Sequence, residues 1–134
     1  MTNLVFLSGN IGVDPEVRNT HSGTQITSFT LATSRNLLRN GETVRGQDGY
    51  PVKDTEWHRI VCFNGIADSV AKYCEKGSRV QVTGRIHYTK WRDQNGVDRH
   101  GCEIIATSVE FLSRSAKPKA ETASAVHEDN KVPF

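Results

Sequence analysis

The chain has 134 residues and a mass of 14.9 kDa, enough for one domain with a short appendage and too little for two full cores. Its 17 Lys and Arg side chains nearly balance 15 Asp and Glu, which gives a formal net charge of +2. This balance excludes a histone-like polycation and a highly acidic disordered chain. Taken alone, it also argues weakly against a partner as negative as a nucleic acid.

We expect a cytoplasmic protein that neither enters a membrane nor is exported. The longest apolar run near the start, residues 4–7, is far shorter than the roughly 20 residues of a membrane helix, and no Lys or Arg precedes it as in a signal peptide. The cysteines Cys62, Cys74 and Cys102 have no C-x-x-C spacing. They predict buried reduced thiols rather than a disulfide framework.

The first half of the chain is predicted to form strands separated by turns. Alternating patterns rich in Thr, Ile and Phe indicate strands over residues 3–8 and 24–34. Residues 35–54 contain Asn40-Gly41 and other turn signals, which predict a long loop or a protruding hairpin. A strong strand follows over residues 55–63.

The second half adds one helix and two strands. Residues 66–76 carry apolar side chains at helical spacing, with Gly77 as the stop, and residues 79–92 and 97–112 are strands joined by a turn at 93–96. The fold class is therefore mainly β. Three strands, a helix and two more strands predict a five-stranded OB-fold barrel over residues 1–112, a fold that commonly binds oligonucleotides or oligosaccharides.

The last segment, residues 113–134, differs from this domain. It is rich in Ala, Ser, Lys and Glu and has no amphipathic period, so we expect a disordered tail. Glu128 and Asp129 precede the terminal Val132-Pro133-Phe134. The tail thus ends with a bulky aromatic side chain beside a free carboxylate.

Aromatic and basic side chains are interleaved on two of the predicted strands. Because alternate residues of a strand share a face, Trp57, Arg59 and Phe63 lie together. Trp91 stands between Lys90 and Arg92 near a hairpin tip, where a core does not reach. Aromatic rings stack on unpaired bases while cations neutralise phosphates, so this pattern favours single-stranded nucleic acid. The phosphate-contact candidates are Arg59, Lys76, Arg79, Arg85, Lys90 and Arg92.

Burial in the core remains an alternative for Trp57 and Phe63, since large aromatic side chains are more often core than ligand contacts. For the basic residues the alternative is a simple solvated surface.

Five motifs together resemble the bacterial and mitochondrial single-stranded DNA-binding protein family. They are GNIGVDPEVR at 9–18, LATS at 31–34, TEWHRIVCF at 55–63, KG at the helix end and TKWRDQNGVDR at 89–99. The resemblance covers residues 4–112, and the Val-Pro-Phe end is similar to the tail tip of bacterial members. It implies an OB-fold homotetramer that wraps single-stranded DNA in replication, recombination and repair, without a cofactor.

The resemblance also implies roles for individual residues. Trp57, Phe63 and Trp91 match the stacking aromatics of the family, and His58 matches a position of subunit contact. A fourth aromatic position falls at Leu37, which cannot stack as an indole does; Arg35, Arg39 or Tyr50 in the long loop are its candidate substitutes.

The tail tip of the family docks replication and repair proteins. Here that role falls on Glu128, Asp129, Val132, Pro133 and Phe134. Because Lys131 follows a short acidic run, and the spacer before it is short, we expect docking that is weaker or altered.

Two other classes compete with DNA binding. Asp54, Glu56 and His58 share a strand face, as a metal-dependent nuclease would require, but carboxylates beside basic strands are usually structural ion pairs. His58 and Cys62 lie about 13 Å apart in a strand, too far to share a zinc ion. We therefore expect neither an enzyme nor a metal site. The second alternative is a protein-interaction module, which does not explain Trp91 and its flanking cations. Within the binding class, the nearest alternative is an OB-fold primosome component, which we would not expect to carry the Val-Pro-Phe end.

Overall fold

Eight strands and one helix make up residues 1–113, the part of the chain that the computed structural model describes. The strands are β1 (Val5–Ile11), β2 (Glu16–Asn19), β3 (Gln25–Asn36), β4 (Leu38–Arg39), β5 (Glu42–Thr43), β6 (Lys53–Phe63), β7 (Arg79–Arg92) and β8 (Asp98–Ser113), and the helix is α1 (Asn64–Tyr73). The predicted tail lies outside the described residues except for Ser113, which ends β8. Within residues 1–113, no helix is long and apolar enough to cross a membrane.

Five of the strands close into a barrel. Their order is β1, β7, β8, β6 and β3, and β1 returns to β3 through the pairs Asn10↔Ala32 and Ile11↔Leu31. β6 and β8 run parallel, whereas the other barrel neighbours are antiparallel. Helix α1 connects β6 to β7, which are the third and fourth barrel strands in the order of the chain. The predicted OB-fold barrel is confirmed.

Alternate residues of the barrel strands form the core. Ile60 and Cys62 of β6 are buried opposite Phe29 and Thr27 of β3. Helix α1 packs against this core with Ala67 and Val70, and the Thr27 hydroxyl donates a 2.9 Å hydrogen bond to the Ala67 carbonyl oxygen. Each fully buried aliphatic side chain contributes about 1.5–3 kcal/mol, so the inward face of these strands holds the barrel together.

Helix α1 differs from the prediction at both ends. It begins at Asn64 rather than at residue 66, directly after β6, and ends at Tyr73 rather than at residue 76. The chain becomes extended at Cys74, whose N–H still donates to the Val70 carbonyl oxygen. Gly77, predicted as the helix stop, has a φ of 91° and instead serves the turn that leads into β7.

The segment between β3 and β6 is an ordered hairpin arm, which confirms one of the two predicted forms. β4 and β5 pair around Asn40-Gly41, whose φ angles of 54° and 82° are those of a tight hairpin turn. The arm is tied to its base because the Leu37 N–H donates to the Val52 carbonyl oxygen at 2.8 Å. Leu37 is therefore held by backbone hydrogen bonds.

β2 was not expected from the sequence. It pairs with β3 from Glu16↔Ser28 to Asn19↔Gln25 and extends the sheet on the side of β3 that faces away from β6. All four of its side chains are exposed, so the segment has no apolar alternation that would reveal a strand.

β7 and β8 are longer than the barrel and continue as a two-stranded hairpin. Val80 and Val82 of β7 are fully buried, but Tyr88 on the same face is 74% exposed. Its predicted place on a core face is wrong because the barrel core ends before the strand does. Cys102 pairs with Tyr88 and is exposed for the same reason, whereas the other two cysteines are buried as expected.

Candidate nucleic-acid interface

The outer face of β6 presents two of the three predicted stacking aromatics. Trp57 is 61% exposed and Phe63 is 37% exposed, so neither belongs to the core. They share this face with Arg59 and are separated by six residues, a distance of about 20 Å along a strand. We call this surface, with the neighbouring parts of β2, β3, β7 and β8 that face the same way, the outer face.

The Trp57 ring lies against the backbone of Gly12, just after β1. A side chain at Gly12 would collide with the indole and with the Thr30 hydroxyl. The missing Cβ therefore lets the ring rest against the chain on one side while its remaining surface stays accessible. The turn that carries Lys76 is fixed nearby, because the Gly77 N–H donates to the Ile11 carbonyl oxygen and the Lys76 N–H to Asp14.

Trp91 is seated in a similar way on the β7–β8 hairpin. It pairs with Arg99 across the hairpin and lies diagonally over Gly101, where a Cβ would be 3.1 Å from a ring carbon. The residue is 51% exposed. Diagonal contacts of this kind hold an aromatic ring over a glycine without covering its outer side.

The hairpin tip behind Trp91 is fixed by Asp93. Its carboxylate accepts hydrogen bonds from the N–H groups of Asn95 and Val97 and from the Arg99 side chain at 2.8 Å. These donors, led by the Val97 N–H, lower the pKa of Asp93. The turn is thus held by a charged group at neutral pH.

The two parts of the outer face meet at an ion pair. Arg59 of β6 contacts Glu103 of β8 at 3.4 Å, and Glu103 pairs across the hairpin with His87. Thr89 and Trp91 continue along the same face of β7. The structure therefore brings Trp57, Arg59 and Trp91 onto one continuous surface, with Phe63 at its far end.

The predicted phosphate contacts fall into two groups. Arg59 and Arg92 are ion-paired with acids, and Arg79 donates to the Asn10 side chain. Within the described chain, no acid pairs with Lys76, Arg85 or Lys90. Exposed ion pairs are worth about 0–1 kcal/mol, so a phosphate can replace the carboxylate at little cost.

The candidates in the arm differ in their accessibility. Arg35 is held by Asp54 at 2.9 Å, whereas Arg39 carries no acid partner in the described part of the chain. Tyr50 is 72% exposed at the end of the arm. Arg39 and Tyr50 are the arm side chains that a ligand can reach most directly, and their role stays a prediction.

His58 lies on the opposite, inward-facing side of β6. Its Nε2 atom is 2.9 Å from the Thr33 hydroxyl, and the residue is half-buried. Its predicted role in subunit contact stays a prediction. The tip residues Glu128, Asp129, Val132, Pro133 and Phe134 lie outside the described residues.

Two of the three groups considered for a nuclease are engaged with other side chains. Asp54 pairs with Arg35 and His58 with Thr33. Among residues 1–113, no three His, Cys, Asp or Glu side chains converge so that they could hold a metal ion.

Two cations of the outer face were missed by the sequence analysis. Arg18 of β2 pairs with Ile26, which pairs in turn with Phe63, so Arg18 and Phe63 lie in one row of the sheet. Arg99 lies directly opposite Trp91. The hairpin turn at 93–96 already implied the second pairing, but the first depended on recognising β2.

Comparisons with known proteins agree with this geometry. Residues 2–112 match the family described as "Single-strand binding protein family". The chain is 39% identical over 119 residues to the mitochondrial single-stranded DNA-binding protein of Oryctolagus cuniculus, covering 88% of this chain and 80% of that protein. A solved structure of the Plasmodium falciparum SSB complex with ssDNA superimposes with a TM-score of 0.72 at 31% identity, covering 84% of this chain and 97% of that one.

Proposed function

Because this chain belongs to the single-strand binding protein family, we propose that its outer face binds single-stranded DNA without strong sequence preference. The observation that carries the proposal is the exposure of Trp57, Phe63 and Trp91 on one continuous surface beside basic side chains. Unpaired bases offer flat faces for stacking, and a duplex hides them. Since every base has such a face, stacking tolerates any sequence.

This binding would protect single strands during replication, recombination and repair, and it requires no catalysis. We therefore assign no enzymatic activity to the chain. The pairing of Asp54 with Arg35 and of His58 with Thr33 supports this assignment. Cleavage of a labelled oligonucleotide in the presence of Mg²⁺ would overturn it. A cytoplasmic, nucleoid-associated location stays a prediction, since the relative named above is mitochondrial.

Titration with oligo-dT tests the proposal through the tryptophans themselves. We expect oligo-dT to quench tryptophan emission, with an affinity that falls as salt rises, and duplex DNA of equal length to quench far less. Trp91→Ala should weaken binding by about 1–3 kcal/mol, the usual worth of one base stack. Because Trp91 lies outside the core, the variant should unfold at the same temperature as the wild type. Unchanged emission with micromolar oligo-dT at low salt would refute the stacking mechanism.

We also propose that the protein forms the homotetramer that the family resemblance implies, and that β1 is one of the contacts between its copies. The outward-facing Leu4 and Phe6 are 66% and 64% exposed. β1 pairs with β7 from Val5 to Asn10 but with β3 only at Asn10 and Ile11. Among residues 1–113, nothing else pairs with this edge of β1. A sheet edge that is open in this way, beside exposed apolar side chains, is suited to pairing with the same edge of a second copy.

Light scattering of variants tests this assembly. Phe6→Glu places a charge in the proposed contact and should reduce the mass to that of a smaller species, whereas Val13→Glu, at a 55% exposed position beyond β1, should not. An unchanged mass for Phe6→Glu would exclude this face as the contact.

We propose, finally, that the tip recruits replication and repair proteins through Glu128, Asp129 and Val132-Pro133-Phe134. The support is the sequence of the tip, an aromatic carboxyl terminus after an acidic pair. Deleting residues 132–134 should abolish capture of such partners and leave oligo-dT affinity unchanged. Reduced DNA affinity after the deletion would contradict this role.

A further inference from the structure

The β7–β8 hairpin carries a second exposed aromatic residue on the face that does not belong to the outer face. Tyr88 and Trp91 are three residues apart on β7, so their side chains project from opposite sides of the ribbon. Tyr88 is 74% exposed and lies opposite Cys102. Exposing a tyrosine ring at this point does nothing for the core, which ends below it.

The surroundings of Tyr88 are basic. Lys90 and Arg92 follow it on the same face, paired across the hairpin with His100 and Asp98. Asp98 is occupied by Arg92 at 3.2 Å, and within residues 1–113 no acid pairs with Lys90. An aromatic ring beside basic side chains is the combination that also marks the outer face.

The edge of β7 between the two rings is uncovered. β1 accompanies β7 only from Arg79 to Gly84. The Asn3 side chain then closes the edge at Ile86, accepting from its N–H at 2.9 Å and donating to its carbonyl oxygen at 3.0 Å. Beyond Ile86, the described chain places no neighbour on this edge. The charged Lys90 discourages a protein strand from adding there, because edge lysines oppose strand pairing.

We propose that the hairpin binds single-stranded DNA on both faces, with one base stacked on Trp91 and another on Tyr88. The strand crosses the free edge of β7 between them, and Lys90 lies beside its phosphates. This inference rests on the proposed DNA-binding function and extends it to a surface that the Trp57–Trp91 face does not include. Three residues of β-strand span about 10 Å, so the two stacking positions are close along the hairpin.

Cys102 provides a direct test in the unmodified protein, because it pairs with Tyr88. Cys62 and Cys74 are buried, and burial raises the pKa of Cys62 to about 12, so Cys102 is the cysteine expected to react with a thiol reagent at pH 8. A saturating long oligo-dT should slow this reaction, and duplex DNA at the same concentration should not. Unchanged reactivity with oligo-dT bound would overturn the proposal. A thiol that fails to react without DNA would also overturn it, since the face would then be covered by a second copy.

A pair of variants provides the second test. Tyr88→Ala should weaken oligo-dT binding by about 5- to 140-fold, the fold-change that corresponds to one base stack. Tyr88→Phe retains the ring and should bind as the wild type does. Val97→Ala, which shortens a 49% exposed side chain in the turn of the same hairpin, is the matched control for simple truncation.

The outcomes separate this inference from the function on which it rests. If Tyr88→Ala binds like the wild type while Trp91→Ala is impaired, the second face is refuted and the DNA-binding function stands. If the wild type fails to bind oligo-dT, the function itself fails. A change in molecular mass for Tyr88→Ala without a change in DNA affinity would assign Tyr88 to subunit contact instead.

Discussion

Each tryptophan of the proposed DNA-binding surface rests on a glycine. Gly12 lies under Trp57 and Gly101 lies near Trp91, on the surface that Arg59 and Glu103 connect. A ring supported on one side loses less rotational freedom when a base stacks on the other, so support of this kind increases affinity without a new contact. The glycines therefore contribute to DNA affinity indirectly, by positioning the two tryptophan rings.

Gly101→Ala tests this positioning role. The new Cβ would lie 2.7 Å from the Thr89 hydroxyl, which must shift, and 3.1 Å from the Trp91 ring, which must move slightly from its present place. We expect weaker oligo-dT binding with a smaller loss than for Trp91→Ala, measured by fluorescence titration. Gly65→Ala is the matched control, because a Cβ there meets nothing within 4 Å.

A double variant distinguishes positioning from a direct effect. If Gly101 acts through Trp91, adding Gly101→Ala to Trp91→Ala should cause no further loss of affinity. Additive losses would mean that Gly101 affects DNA binding independently of the indole.

At the scale of elements, the barrel strands were predictable and the projections from the barrel only in part. β7 agrees with its predicted range of 79–92 because its alternating Val residues face a core and an unmistakable turn follows. β2 was missed because its side chains are exposed on both faces of the sheet, so its sequence shows no apolar alternation. The helix ends were misplaced because apolar spacing reports which residues are buried, and not where the chain leaves helical geometry.

Tyr88 and Cys102 show a more specific limit of strand patterns. Alternation assigns a side chain to one of two faces, but it does not say how far a core extends along that face. Trp57 and Phe63 had the reverse problem, since their pattern fitted either a core position or a ligand contact. The exposure of their side chains in the folded chain removes that ambiguity. The residue types alone had already indicated that these rings could stack on bases.

The hairpin tip depends on a single carboxylate, and this makes it sensitive to acid. The pKa of Asp93 is lowered by the N–H groups of the turn and by Arg99, so the stabilisation is present above the ordinary value of 3.8 and is lost as the pH falls through the lower folded value. Below that range we expect faster amide exchange at Val97, measured by NMR, while the amides of the barrel core stay protected.

Asp93→Ala should reproduce this loosening at neutral pH. Because Trp91 lies two residues before the turn, we expect the variant to bind oligo-dT more weakly. Its melting temperature should stay close to that of the wild type, because the hairpin tip lies outside the barrel core. Glu42→Ala, which removes an acid from the other hairpin, is the control. Wild-type exchange at Val97 in Asp93→Ala would show that the carboxylate does not hold the turn.

At the scale of the whole molecule, charge is segregated rather than abundant. β7 carries four of the 17 basic side chains and no acid, so the remaining 13 are outnumbered by 15 acids. The net charge of +2 averages these regions and conceals the basic strand. Electrostatic attraction of DNA thus depends on where the cations lie. Removing a positive charge should weaken DNA binding only when the charge lies on the DNA-binding surface.

Two lysines with different surroundings allow this to be measured. Lys90→Gln and Lys72→Gln each remove one positive charge, but Lys90 lies on the hairpin and Lys72 on α1, paired with Asp68 at 3.2 Å. Binding to single strands weakens with salt in proportion to the phosphates neutralised, with a slope of about 0.7 per contact in a plot of log affinity against log salt. Lys90→Gln should lower that slope by about 0.7, whereas Lys72→Gln should leave it unchanged. Equal effects of the two substitutions would mean that the net charge, and not the placement of cations around Trp91 and Tyr88, governs the attraction of DNA.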